Sequence, residues 1–141
     1  MNGLYGTNTD RDNGLMDPIE RIRDALAASR LTFKELELIS NVEVTFSVYS
    51  GGRLRVALFV DECLDCPLHG RKNKSSTWPA ERNYGNRKLV GLGVNVIRAW
   101  ACTSRIAPYH VVARVEFALA RSSSWQAYCS VLEPKGLGTR G

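Results

Sequence analysis

The hydrophobic residues of this chain are spaced as in a helix near the N-terminus and alternate as in a strand further on. In the first of these segments the apolar side chains of Ile22 and Leu26 recur at helical spacing. Asp17 is a typical helix cap, and Pro18 suits the first position of a helix. The pattern therefore predicts an N-terminal helix over residues 17–30.

A second capping pattern follows directly. Thr32 is followed three residues later by Glu35, the spacing at which two side chains cap a helix start reciprocally. Apolar residues continue beyond it at helical spacing. We expect a second, short helix that ends near Ser40-Asn41.

Strict alternation of apolar and polar residues then begins. Residues 42–49 and 53–60 both alternate, and the pair Gly51-Gly52 lies between them. This arrangement is typical of a β-hairpin with a two-residue turn. Four apolar residues are expected to set the core face of the hairpin: Val44, Phe46, Val56 and Leu58.

Three further segments complete the predicted fold. Residues 89–101 and 125–132 are expected to be strands, whereas residues 110–121 fit either a strand or a helix, with the β-branched content favouring a strand. The sequence thus predicts an α+β fold in which one or two N-terminal helices pack on a mostly antiparallel sheet of about five strands.

The length of 141 residues suits a single domain. Residues 1–16 are polar and rich in Gly and Asn, so we expect an N-terminal arm. The domain is expected over residues 17–133, with a long charged loop at residues 61–88 and a C-terminal tail at residues 134–141. A loop of that length inside a compact domain is usually functional or mobile.

The charge of the chain is unevenly distributed. Residues 1–66 contain 7 Lys and Arg against 11 Asp and Glu, whereas residues 67–141 contain 12 against 3. An acidic half and a basic half attract each other in neighbouring copies, and a basic half alone attracts polyanions. Both self-association and nucleic-acid binding are therefore compatible with the charge.

The N-terminus has neither the basic segment nor the apolar segment of a secretory signal, and no apolar run is long enough to span a membrane. We therefore expect a cytoplasmic or virion protein that is not secreted and has no membrane partner. In such a compartment the four cysteines are expected to be thiols or metal ligands rather than disulfides.

One short segment has the spacing of metal ligands. Cys63 and Cys66 form a Cys-x-x-Cys turn, and His69 follows three residues later, so the three side chains can meet at a structural zinc. The alternative is a surface turn whose cysteines bind nothing. No other cofactor is expected. A fourth zinc ligand would come from one of three residues: Cys102, His110 or Cys129.

The long loop also combines cations with aromatic residues. Lys and Arg neutralise phosphates and aromatic rings stack on bases, so the segment is a candidate contact with nucleic acid or with a protein partner. The residues expected to make this contact are Arg71, Lys72, Lys74, Trp78, Arg82, Tyr84, Arg87 and Lys88.

Catalytic motifs are absent from the sequence. It has no nucleophile elbow, no phosphate-binding P-loop and no dinucleotide fingerprint. Asp61, Glu62 and Asp65 can hold a divalent ion, but three acids in a loop are typical of a solvated rim. We therefore expect a protein without enzymatic activity.

Two functions follow from these features. The first is a structural subunit of a larger assembly, a homo-oligomer that associates head to tail through its acidic N-terminal and basic C-terminal surfaces and contacts neighbouring subunits. Its layout is similar to small α+β ring subunits at the necks and tails of tailed bacteriophages, a likeness that no residue motif carries. The alternative is a small nucleic-acid-binding or host-defence inhibitor module, with the zinc turn as a structural element.

Overall fold

The computed structural model of the protein describes residues 17–63, 77–121 and 127–132, with side chains from residue 82 onward in the second range. This part of the chain forms four helices and five strands. The helices are α1 (Pro18–Ala28), α2 (Thr77–Gly91), α3 (Ala101–Ile106) and α4 (Pro108–Ala120), and the strands are β1 (Thr32–Ile39), β2 (Val42–Ser50), β3 (Arg53–Asp61), β4 (Asn95–Trp100) and β5 (Cys129–Val131). The predicted arm (1–16) and tail (134–141) lie outside the described residues.

The five strands form one sheet in which the spatial order equals the chain order. β1, β2 and β3 are antiparallel neighbours, whereas β4 runs parallel to β3 and β5 runs parallel to β4. Parallel neighbours need a crossover connection, and helices lie in both connections. The predicted α+β fold with an N-terminal helix is confirmed, and its sheet is mixed.

The N-terminal helix is α1, within the predicted range. A side-chain oxygen of Asp17 accepts a hydrogen bond from the Ile19 amide at 3.0 Å, so the predicted cap is present. Ile22 and Leu26 are fully buried, together with Ala25 between them. The helical spacing of these residues therefore marks the face of α1 that packs on the sheet.

The prediction of a second N-terminal helix is wrong. Residues 32–39 form β1, which pairs with β2 from Thr32 opposite Tyr49 to Ile39 opposite Val42. The φ angles of Ser40 and Asn41 are 54° and 70°, which are the conformations of a tight two-residue hairpin turn. The hydrogen bonds along this pairing outweigh the helix propensity of the Leu and Glu residues.

The predicted hairpin is confirmed as β2 and β3. Gly51 and Gly52 have φ angles of 64° and 78°, which glycine adopts without strain. Phe46 lies opposite Leu58 in the register, and both side chains are fully buried. Val44 is buried as well, but it belongs to a second cluster on the other face of the sheet.

The predicted loop at 61–88 is corrected over residues 77–88, because α2 begins at Thr77. The predicted strand at 89–101 is likewise shortened to β4, since Leu89 still belongs to α2. Leu89 is fully buried, so the apolar start of that segment is a helix face and not a strand face.

The strand favoured at 110–121 is also wrong, because this segment forms α4. Pro108 occupies the first turn of α4, where its missing amide hydrogen costs nothing. Val111, Val115 and Ala118 are buried at helical spacing. The burial of this stripe outweighs the β-propensity of the valines.

Helices cover both faces of the sheet. On one face α1, α3 and α4 pack together, and the main core there includes Phe46, Leu58 and Ile97. On the other face, Leu89 of α2 packs in a smaller core with Phe59 and other residues of the sheet. No helix among the described residues is long and apolar enough to cross a membrane.

Candidate functional site

The exposed side of α2 combines an aromatic ring with cations. Tyr84 is 57% exposed, and the Lys88 ammonium lies 5.0 Å from the centre of its ring. Asn83 and Arg87 are exposed beside them. We call these four residues the α2 outer face. Because they lie on consecutive turns of one helix, they form a continuous polar surface with an open aromatic ring.

The opposite side of α2 is packed on the sheet. Gly85 is buried against the sheet, and a Cβ atom there would make an ordinary van der Waals contact of 3.4 Å with a methyl group of Val42. Arg82 and Asn86 also point inward, and both make polar contacts at the ends of the strands. The inner side thus fixes the orientation of the outer face.

Asp61 is the residue to which α2 is attached. It ends β3, and β4 runs parallel beside it with Trp100 directly opposite. The Arg98 guanidinium of β4 donates to one carboxylate oxygen of Asp61 at 3.0 Å, and Arg82 of α2 lies 2.5 Å from the other. One carboxylate therefore joins two strands and a helix. Arg98 also donates a hydrogen bond from its Nε to the Asn86 Oδ1 of α2, at 2.8 Å.

This cluster, which we call the Asp61 centre (Asp61, Arg82, Asn86 and Arg98), is largely shielded from water. The exposed fraction is 10% for the Asp61 side chain and 7% for the Arg98 side chain. Burial raises the pKa of Asp61 and lowers the pKa of Arg98, while their mutual attraction opposes both shifts. Aromatic rings complete the packing, with Arg98 3.9 Å from the ring centre of Phe59 and Arg82 5.3 Å from that of Trp100.

Two of the cysteines meet next to the Asp61 centre. The Cys63 sulfur accepts a hydrogen bond from the Cys102 amide at 3.2 Å, and both residues pack with Trp100. Cys102 is 5% exposed and Cys63 is half-buried. Of the three candidates for the fourth zinc ligand, the structure therefore brings Cys102 to Cys63.

The other two candidates lie elsewhere. Cys129 pairs with Val96 at the amino-terminal half of β4, whereas Cys102 follows the carboxyl end of that strand. Burial raises the pKa of the Cys129 thiol. His110 is exposed on the first turn of α4.

A cavity of 290 Å³ opens beside these cysteines. It lies between the first turn of α1, the end of β3 and α3, and its lining includes Asp17, Glu62, Cys63 and Arg105. The lining mixes both charges, so the cavity by itself does not select a ligand by charge.

Several residues predicted for the sites lie outside the described part of the chain. They are Cys66, His69, Arg71, Lys72 and Lys74, together with the side chain of Trp78, whose backbone belongs to α2. Within the described residues no group of three or more His, Cys, Asp or Glu is placed to hold a metal ion.

The four remaining residues of the predicted contact set divide into two groups. Tyr84, Arg87 and Lys88 lie on the α2 outer face, as a contact surface requires. Arg82 differs because its guanidinium lies in the Asp61 centre, with only 17% of its side chain exposed. The structure thus assigns Arg82 a positioning role.

The Asp61 centre itself was not anticipated from the sequence, which placed Asp61 in a solvated rim. A signal for it exists in Arg98, a charged residue inside the apolar run that forms β4. A charge in a buried strand needs a partner of opposite charge, and Asp61 ends the neighbouring apolar strand.

Comparison of the chain with protein-family models, with curated proteins and with solved structures yields no match.

The Asp61 centre predicts a large effect of one substitution on stability. Asp61→Asn removes the only carboxylate bonded to Arg98 among the described residues, so we expect the free energy of unfolding to fall by about 3–5 kcal/mol. Urea denaturation measures this change.

Glu35→Gln is the matched control. Glu35 forms a bidentate pair with Arg23 at 2.7 and 2.9 Å, but that pair is exposed to solvent. Its loss is expected to cost much less. Equal losses in the two variants would show that the Asp61 centre does not hold the fold together.

Proposed function

We propose that the protein binds nucleic acid through the α2 outer face and the basic segment that precedes α2. The observation that carries this proposal is that the exposed residues Tyr84 and Arg87 and the half-buried Lys88 lie together on the outer side of a helix. Cations that neutralise phosphates, next to a ring that stacks on a base, are the combination used by many nucleic-acid-binding surfaces.

The geometry of Tyr84 supports stacking. Lys88 approaches the ring at 5.0 Å, and more than half of the Tyr84 surface remains exposed. A base can therefore stack on the ring while the ammonium group neutralises a nearby phosphate. Since the Asp61 centre fixes the inner side of α2, the surface is ordered before a ligand binds, which lowers the entropic cost of binding.

The charge of the adjoining sequence supports the same ligand. Arg71, Lys72 and Lys74 precede α2 and add three cations within four residues. A run of positive charge that continues along a helix suits a polyanion better than a single small anion. We propose binding without catalysis, because the Asp61 carboxylate is engaged by two guanidinium groups.

Arg87→Gln tests this proposal. The loss of one phosphate contact should weaken binding about threefold to tenfold for every sequence and lower the salt dependence by about one ion. Fluorescence anisotropy with labelled single-stranded and double-stranded oligonucleotides, at several salt concentrations with a chelator present, measures both quantities.

Arg30→Gln is the control, because Arg30 is also exposed but lies between α1 and β1. It should bind like the unaltered protein. Equal losses of affinity in both variants would show that binding depends only on the net charge of the protein. Absence of binding at low salt would refute the proposal. Cleavage of the oligonucleotide after addition of Mg²⁺ would contradict a function limited to binding.

We also propose a structural zinc that is held by Cys63, Cys66, His69 and Cys102. The support is the contact between the Cys63 sulfur and the Cys102 backbone, together with the sequence spacing of the other two residues. A zinc there would tie the end of β3 to the start of α3, beside the Asp61 centre.

Cys102→Ser should therefore remove zinc and lower the melting temperature, whereas Cys129→Ser should leave both unchanged. Metal content by mass spectrometry and thermal unfolding with and without a chelator measure the two effects. Zinc-free protein whose melting temperature does not respond to a chelator would eliminate the zinc site.

A second candidate function, assembly into a head-to-tail oligomer, is favoured by the sheet order. β1 and β5 are the two edges of the same sheet, and each exposes large apolar residues. The β1 edge carries Leu36 and Leu38, which are 65% and 67% exposed, beside Glu35 and Glu37, and β5 carries Val131, which is 49% exposed. Unlike edges can pair between copies and give a ring or a filament.

In such an assembly the β1 edge of one copy, which belongs to the acidic N-terminal half, contacts the basic C-terminal half of the next. A neck or tail ring of a tailed bacteriophage is one assembly of this type, and that assignment stays a prediction. It does not exclude nucleic-acid binding, because a ring through which DNA passes also uses exposed cations.

The assembly candidate predicts an oligomer whose mass falls as salt is raised, because salt screens the matched charges. Light scattering from low to high salt measures the mass. Leu38→Lys should also dissociate the oligomer, whereas Leu92→Lys, at another exposed leucine that follows α2, should not. A monomer at low salt would exclude this candidate.

A further inference from the structure

A second group of cations lies near the amino-terminal ends of the parallel strands, at the end of the sheet opposite to the Asp61 centre. Arg55 is near the start of β3, Asn95 starts β4, and Tyr128 directly precedes β5. Arg55 and Asp61 are six residues apart on β3, which corresponds to about 20 Å in an extended strand. This end of the strands is therefore distinct from the Asp61 centre.

Asn95 fixes the backbone geometry at this end of the strands. Its side-chain oxygen accepts a hydrogen bond from the Tyr128 amide at 3.1 Å, and its nitrogen donates to the Arg55 carbonyl at 3.5 Å. Asn95 is 8% exposed. One buried amide thus holds the backbones of Arg55 and Tyr128 in place.

Two guanidinium groups lie close to the Tyr128 ring. Arg121 is 4.2 Å and Arg114 is 5.8 Å from the ring centre, while Arg55 donates to the Arg121 carbonyl at 3.4 Å. Neither Arg55 nor Arg114 forms an ion pair with a carboxylate of the described residues. Positive charge is therefore concentrated at this end of the strands. Among the described residues, no carboxylate neutralises Arg55 or Arg114.

The Tyr128 hydroxyl adds a separate indication of a ligand. Its oxygen is buried and has no hydrogen-bond partner among the described residues. A buried hydroxyl without a partner costs free energy, and an anion with several acceptor oxygens would remove that cost.

We propose that Arg55, Arg114, Arg121 and Tyr128 form a binding site for a phosphate group. Guanidinium groups bind phosphate through paired hydrogen bonds, and the hydroxyl supplies a further donor. The site is independent of the α2 outer face, so it extends the proposed function and does not rest on it. The phosphate belongs either to a small molecule or to a nucleic-acid backbone.

Two variants test the site with inorganic phosphate as the probe. Calorimetric titration with phosphate, at an ionic strength held constant with chloride, should show binding to the unaltered protein. Arg114→Gln and Tyr128→Phe should each weaken phosphate binding at least about fivefold, since each removes a hydrogen bond to a charged group. Tyr128→Phe should not lower the melting temperature, because the hydroxyl has no hydrogen-bond partner in the described structure.

Arg87→Gln is the control and should bind phosphate like the unaltered protein, even though it weakens oligonucleotide binding. Absence of phosphate binding, or unchanged binding in Tyr128→Phe and Arg114→Gln, would overturn the proposal. Displacement of phosphate by an oligonucleotide without terminal phosphates would identify the backbone as the natural source, whereas displacement by a mononucleotide alone would identify a small molecule.

Discussion

The Asp61 carboxylate is the contact on which the arrangement of this protein depends. It accepts from Arg98 on the neighbouring parallel strand and from Arg82 on the helix that crosses between the two strands. A guanidinium group inside a sheet is stable only when a carboxylate compensates it. Arg98 and Asp61 therefore require each other, and Arg82 attaches α2 to both.

This constraint separates the two sides of α2. On the side of α2 that faces the sheet, Arg82 forms an ion pair, Asn86 accepts a hydrogen bond, and Gly85 and Leu89 are buried. The residues between them are left at the surface, where Tyr84 and its neighbouring cations form a polar, aromatic face. The binding surface is thus a consequence of how the helix is anchored.

Local signals made part of the fold predictable. Asp17 and Pro18 mark the start of α1, and Gly51-Gly52 marks the turn of the central hairpin, because caps and turns depend on residues close in sequence. The strand β1 could not be recognised in the same way. Its Leu and Glu residues favour a helix, and only pairing with β2 decides its conformation.

The site was predictable to a smaller extent. The cations and aromatics of residues 71–88 pointed to a contact surface, but helical geometry was needed to separate inward Arg82 from outward Arg87. The bonded partners of the Asp61 centre are 12 to 37 positions apart in the sequence, so no local pattern contains it. The charged Arg98 in an apolar strand was the one available indication.

Amide hydrogen exchange of the whole chain, with and without an oligonucleotide at low salt, tests the central claim most directly. Nucleic-acid binding through the α2 outer face predicts slower exchange in residues 82–91 and in the basic segment before α2, with α1 and β1 unchanged. Protection confined to α1 and β1, or no protection at oligonucleotide concentrations that saturate binding, would contradict it.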